Sequence, residues 1–266
     1  METGQRSLMP NSNKIIQHNE LSIHSFVNGF SFCTQSKVDF LPANNDQKEF
    51  NKAFEEFIDY YPKKTFTAIS LIHFEHHSTF IQKALFSENH LERYLSHYKT
   101  NKGDSSFQYD ILDEEDQVNV YSYPKEIQSL LETTETRFQE THYNTILSRI
   151  LLNLARESAD KTQLYIHLQK DSMDLFLTKE YSLVFHNRFS TQSEDEFLYY
   201  VFFVVEQFEL ENKAFEIVFL GKMDPFDSFY AAIKLYHNNI RFHQEIIISK
   251  QAIENHNAPF LAQYFS

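Results

Sequence analysis

Leu164-Tyr165-Ile166-His167-Leu168-Gln169-Lys170-Asp171-Ser172 restates, 143 positions further along, the pattern of Leu21-Ser22-Ile23-His24-Ser25-Phe26-Val27-Asn28-Gly29. Each stretch runs Leu, x, Ile, His and then meets a turn pair, Asn28-Gly29 or Asp171-Ser172. Each therefore reads as the opening strand and turn of a β-hairpin. Further markers recur outward from both copies in the same order. Phe40 matches Phe185 at an offset of 145, Glu49-Phe50 matches Glu196-Phe197 at 147, and Lys64-x-Phe66 matches Lys213-x-Phe215 at 149. The offset grows in small steps, as loop insertions in a duplicated unit produce.

The elements around these markers follow one plan twice. In the first copy, strands are expected at 21–25, 30–34 and 38–41. A helix then starts at Asp46, with Glu49 completing a D-x-x-E cap, and Pro62 ends it. A strand at 66–72, a short helix from Ser78, a loop at 99–106 and a hairpin of 107–112 with 118–123 follow. Pro124 opens a helix to about Leu131, and Ile146, Leu147, Ile150, Leu151 and Leu154 predict another over 142–157. The second copy repeats three strands (164–168, 173–178, 181–185). A helix opened by a Ser193/Glu196 capping box runs to about Glu209, followed by a strand at 215–220, a helix at 226–237 and a strand at 240–248. The expected organisation is a tail (1–19), a first half (20–158) and a second half (159–266).

Composition removes several chemistries. The chain has only four glycines, Gly4, Gly29, Gly103 and Gly221, too dispersed for GxGxxG, a Walker A loop or GxSxG. The formal net charge is −13, and the densest basic stretch is the pair Lys63-Lys64, so no nucleic acid partner is expected. Cys33, the single cysteine, reads as a core residue in a reducing compartment. Residues 1–19 are polar and carry no signal-peptide pattern. The longest apolar run, Phe197–Val205, is too short for a bilayer core of about 30 Å, so no membrane insertion is expected. It reads as a helix packed on both sides, or with part of it as an oligomer contact. A cytoplasmic location fits these features.

Three successive strands followed by helix, strand and helix, given twice, resemble the actin-like ATPase superfold. That α/β fold is built from two ribonuclease-H-like halves, each a mixed sheet of antiparallel meander plus parallel strands with helices. More narrowly, residues 20–266 resemble an uncharacterised bacterial family of that fold, a domain of unknown function. The resemblance implies a nucleotide cleft between the halves. Active members carry Asp-x-Gly at the first hairpin of each half and a late Gly-Gly pair. The matching positions are His24 and Phe26, His167 and Gln169, and Gly221-Lys222. Neutral imidazoles are poor Mg²⁺ ligands, and Phe26 takes the space of a phosphate. The resemblance thus implies a degenerate cofactor-binding cleft at His24, Phe26, His167, Gln169 and Gly221, with no catalytic residue, no cofactor and no metal. Equally, His24 and His167 read as partly buried strand residues and Gly221 as a strand terminator.

Two other clusters draw attention. His73-Phe74-Glu75-His76-His77 has metal-ligand chemistry, with His237 or His243 as distant partners, but lacks HExxH spacing and reads as a solvated turn. Asp113–Asp116 reads as a hairpin tip. The expected function is a non-catalytic interaction or scaffold protein, a pseudo-ATPase working through an unknown protein partner or as a homodimer. The alternatives are a nucleotide-binding protein for an ATP-type ligand with altered phosphate contacts, and a metal-dependent hydrolase using His73, Glu75, His76 and His77.

Overall fold

Short apolar-rich runs form the strands of two five-stranded sheets and one three-stranded sheet. The computed structural model describes residues 20–26, 29–33, 38–42, 52, 56, 68–74, 76–98, 105–125, 127, 138–157, 161–169, 171–211, 214–221 and 226–243. In the first sheet, β1 (Glu20–Phe26), β2 (Gly29–Cys33) and β3 (Val38–Pro42) form an antiparallel meander. β4 (Ala68–His73) then runs parallel to β1. Between β4 and the edge strand β8 (Phe138–His142), the chain makes a separate three-stranded sheet from β5 (Ser78–Gln82), β6 (Ser105–Leu112) and β7 (Gln117–Pro124). A short helical turn, α1 (Leu91–Tyr94), packs with it. The first sheet has the order β3-β2-β1-β4-β8.

The second sheet repeats this order. β9 (Thr162–Leu168), β10 (Ser172–Lys179) and β11 (Ser182–Ser190) form the meander, and β12 (Phe215–Leu220) and β13 (Ile240–Phe242) add in parallel, giving β11-β10-β9-β12-β13. The repeat is therefore structural, as the paired hairpin motifs led us to expect. His24 lies opposite Ser31 and Ile72, and His167 lies opposite Asp174 and Leu220. One of the outer matches shifts against this register. Phe40 lies opposite Ser31, as Arg188 lies opposite Asp174, whereas Phe185 pairs with Leu177. The described parallel strands are offset by 148, while Lys64, Phe66 and Lys213 of the Lys-x-Phe match lie outside the described residues. Phenylalanines recur so often in these strands that a match between two of them does not fix a register.

Helices cover both faces of the second sheet, which is why its strands read as near-continuous apolar runs. Leu164, Ile166, Met173, Leu175, Ile217 and Phe219 pack beneath α3 (Glu194–Gln207) and α4 (Asp227–Lys234). On the opposite face, Tyr165, Phe176 and Val218 meet Tyr143, Leu147 and Leu151 of α2 (Tyr143–Glu157), together with Phe26, Ile72 and Phe74 from the first half. One core thus joins the two halves through α2. Ser193 caps α3 by accepting from the Glu196 N–H at 3.2 Å, while the Glu196 carboxylate accepts from the Gln192 N–H at 2.8 Å. Ser193→Ala should cost about 1 kcal/mol, read as a lowered urea midpoint with an unchanged slope.

Several local expectations fail for identifiable reasons. Ser78–Gln82 is strand β5, not a helix, because Thr79 and Ile81 are β-branched and β7 offers an antiparallel partner. Ser105 and Ser106 already belong to β6. Pro124 is the last residue of β7, and the helix expected after it is entered at once, with Lys125 and Ile127 helical and 128–131 outside the described residues. Tyr181 lies in the turn before β11, where Glu180 and Tyr181 both take positive φ (50° and 60°), a geometry usually supplied by Asn-Gly. α4 is shorter than 226–237. The run Phe197–Val205 is not packed on both sides, since Tyr199 and Phe203 are exposed. Of the helix expected over 46–61, Lys52 and Glu56 are described, both helical and 3.7 Å apart as an ion pair. The half boundary at 158–160, Lys222 and the continuation of the last strand to 248 lie outside the described residues.

Candidate functional site

Register builds the site. His167, Asp174 and Arg188 stand opposite one another on β9, β10 and β11, so their side chains share one face of the sheet. That is the face covered by α2, whose first residue is Tyr143, and Gln169 follows directly after β9. Arg188 grips Asp174 with both arms of its fork, Nε to Oδ1 at 3.1 Å and Nη2 to Oδ2 at 3.0 Å. Nη2 also reaches Gln169 Oε1 at 2.9 Å and the Tyr143 hydroxyl oxygen at 3.1 Å. The Tyr143 O–H and Gln169 Nε2 both donate to Asp174 Oδ2, the latter at 3.0 Å. His186 Nε2 lies 3.6 Å from Oδ1.

Asp174 is completely buried. Burial alone would raise its pKa, but Arg188 and then His186 outweigh that and hold the carboxyl well below the usual carboxylate range. Tyr143 is pushed well above the ordinary phenol value by burial, with Arg188 pulling down and Asp174 pushing up. The pair is thus a saturated ionic clamp. Asp174 is ionised, and both of its oxygens are engaged by the protein's own donors. Its physical role is to tie the start of α2, which directly follows β8 of the first sheet, onto the second sheet.

The first half meets this clamp through aromatic rings. His24 is fully buried, with Nε2 2.8 Å from Ser22 Oγ and Nδ1 3.6 Å from the thiol of buried Cys33. Its ring lies 5.1 Å from Phe74, and Phe26 lies 4.8 Å from the same ring. Phe74 stacks on Tyr143 at 5.0 Å, and Tyr143 meets His167 edge-on at 6.2 Å. Gln169 Nε2 is 3.3 Å from His167 Nδ1. The structure therefore brings His24, Phe26, His167 and Gln169 into one contact chain through Phe74 and Tyr143. Gly221 follows Leu220, the residue opposite His167, at φ 88°, a backbone region that a Cβ disfavours.

Sequence reasoning missed Tyr143, Asp174, Arg188 and His186. The available signal was Asp174 itself, a carboxylate inside the apolar run Met173–Leu177. A charge at an inward strand position needs a partner, and Arg188 at the matching point of the next strand supplies it.

The histidine stretch after β4 is not the solvated turn expected of it. His73 is buried and stacks on Tyr123 at 4.2 Å, with Nε2 3.3 Å from Glu140 Oε2. His77 stacks on Tyr98 at 4.3 Å. His142 Nδ1 accepts from the Asn144 N–H at 3.1 Å, so its proton sits on Nε2 and is donated to the His76 carbonyl at 3.1 Å. Burial, and then Arg188 and neighbouring imidazoles, lowers His142 well below the ordinary value. His76 is lowered likewise, by burial first and then by His73. Among the described residues no group of three or more His, Cys, Asp or Glu side chains is placed to hold a metal ion, and Glu75 lies outside them. His237 stacks on Phe215 at 4.4 Å and the His243 N–H bonds to the Phe219 carbonyl, both at the β12–β13 edge.

A model of the family described as "Protein of unknown function (DUF3822)" matches residues 9–240. The chain belongs to that family. No curated protein matches this DUF3822 member. Among solved structures it is similar to a Bacteroides thetaiotaomicron protein with actin-like ATPase fold and unknown function. The identity is 18% and the TM-score 0.73, over 85% of this chain and 91% of the other. It is also similar to a chain of the PilM–PilN type IV pilus biogenesis complex, at 10% identity and TM-score 0.54, over 92% and 96% of the two chains. These likenesses carry the fold alone, and with the two sheets of identical order they establish it. The DUF3822 chain has the actin-like ATPase fold of two ribonuclease-H-like halves. No helix among the described residues is long and apolar enough to cross a membrane.

Proposed function

We propose that this protein is a non-catalytic interaction or scaffold component of the cytoplasm, a pseudo-ATPase whose cleft is filled by its own side chains. The halves are taken as 20–158 and 159–266, with Phe26 at the position where the resemblance implies a glycine beside a phosphate, and Phe74 packed against it. The observation that carries this reading is the contact chain from Phe26 through Phe74 to Tyr143, closed by the saturated Asp174–Arg188 clamp. A nucleotide would have to displace buried rings worth about 1.5–3 kcal/mol each. The PilM–PilN structure supports the interaction side of the reading, since a chain of similar fold occurs there within a complex.

ATP with Mg²⁺ is expected to leave the melting temperature unchanged up to millimolar concentration, with no phosphate release. A saturable upward shift accompanied by phosphate release would reject the proposal. One observation favours a second reading, a nucleotide-binding protein with altered contacts. Gly221 holds a positive φ at the end of β12, where a backbone can approach a base. That reading requires purified protein to release a chromophore absorbing at 260 nm on denaturation.

A further inference from the structure

The outer face of α3 is the feature that the cleft does not explain. Phe197, Val201 and Val204 point into the core and are buried, which uses up the helix's inward stripe. On the outward side Tyr199 and Phe203, one turn apart, are 64% and 46% exposed and lie with ring centroids 6.3 Å apart. The apolar surface continues onto the end of α4. Phe202 meets Tyr236 at 5.5 Å, and Tyr236 and Leu235 are 57% and 81% exposed. A helix needs no aromatic pair on its solvent face for folding, and large contiguous apolar exposure marks a contact surface.

The charges around the patch specify its partner. α3 carries Glu194, Asp195, Glu196 and Glu206 and no basic residue, while α4 contributes the single Lys234. By helical spacing, Asp195 and Glu206 stand on one side of the Tyr199–Phe203 stripe and Glu196 on the other. A second copy of this chain, at net charge −13, would set the same acids against one another. We infer that the Tyr199–Phe203 face of α3 docks a basic amphipathic helix of another protein, whose apolar stripe covers the two rings and whose Lys and Arg residues pair with Asp195, Glu196 and Glu206. This supplies the contact surface for the interaction reading above. It lies away from the cleft, so its failure and an ATP-binding result are separate outcomes.

The chain has no tryptophan, so a peptide with one Trp reports its own burial. The probe is an 18-residue amphipathic Leu/Lys peptide with Trp at the centre of its apolar face, and a Leu/Glu version serves as control. With the full-length protein, the Leu/Lys peptide should show a blue-shifted emission that saturates, and the Leu/Glu peptide none. Tyr199→Ser with Phe203→Ser should weaken binding at least about tenfold. Asp195→Lys with Glu206→Lys should weaken it at low salt and lose that effect near 1 M NaCl. Equal binding by the Ser variant, binding of the Leu/Glu peptide, or no binding of either peptide would overturn the inference. So would a dimer in sedimentation that the Ser variant dissolves, because the occupant would then be a second copy.

Discussion

Replacing Arg188 with Met should lower the unfolding free energy by about 3–5 kcal/mol, read as a fall in the urea midpoint. The loss comes from Asp174 more than from the missing ion pair. With Arg188 gone, a fully buried carboxylate keeps Tyr143 and Gln169 as donors but has no full positive charge opposite it. Its pKa in the fold must then rise above the unfolded value, because burial is the largest influence on it and Arg188 the main opponent. The folded form of the variant therefore favours the protonated acid, so the loss should grow as pH rises from 4 to 7. Asp174→Asn in the Arg188→Met background should recover part of the stability, and replacing both residues by Leu should recover most of it. A single variant within about 0.5 kcal/mol of the parent, well inside the range of ordinary surface changes, would mean that the clamp is not closed in solution.

Acidification from pH 7.5 to 5.5 should lower the melting temperature by roughly 5–10 °C. His76 and His142 have their pKa values lowered in the fold, chiefly by burial, so the folded state prefers them neutral while the unfolded chain takes up protons near pH 6.5. Stability is complete above that unfolded value and falls as pH drops toward the folded pKa values. Each histidine that stays neutral costs about 1.4 kcal/mol over this interval. His186, lowered by burial against the pull of Asp174, adds in the same direction. Asp110 works the other way above its unfolded value, because burial raises its pKa despite bonds from the His142 N–H, Thr145 and Thr141. Asp174 begins to matter only below its unfolded value. A flat melting profile between pH 7.5 and 5.5 would show that His76 and His142 are open to solvent.

What the sequence discloses is what repeats locally. The His24 and His167 strands, their turns and the Ser193 cap are each specified within a few residues. That local pattern pairs His24 with His167 and Phe26 with Gln169 in the sequence alone. β8 was missed because Phe138-Gln139-Glu140-Thr141-His142 has one apolar residue and becomes a strand through parallel pairing with β4. Arg188 was invisible for a related reason. Its position opposite Asp174 depends on the two-residue turn at Glu180-Tyr181 and on a register shift between Leu177 and Thr178, neither of which carries a glycine or asparagine signal. Tyr143 reaches Asp174 from a helix 31 positions away, a contact that only the packing of α2 across the second sheet creates.

Amide hydrogen exchange on the full chain, with and without ATP and Mg²⁺, tests most directly whether protein fills the space between the halves. The Phe74 N–H bonds to the Ser25 carbonyl at 2.8 Å, and the Gln169 N–H bonds to the Ser172 carbonyl at 2.8 Å, one on each side of Tyr143. Both should exchange only through global unfolding, at rates that saturating nucleotide leaves unchanged. Exchange within seconds to minutes at these two amides, slowed when ATP and Mg²⁺ are added, would contradict a closed cleft and reveal an open pocket that nucleotide orders.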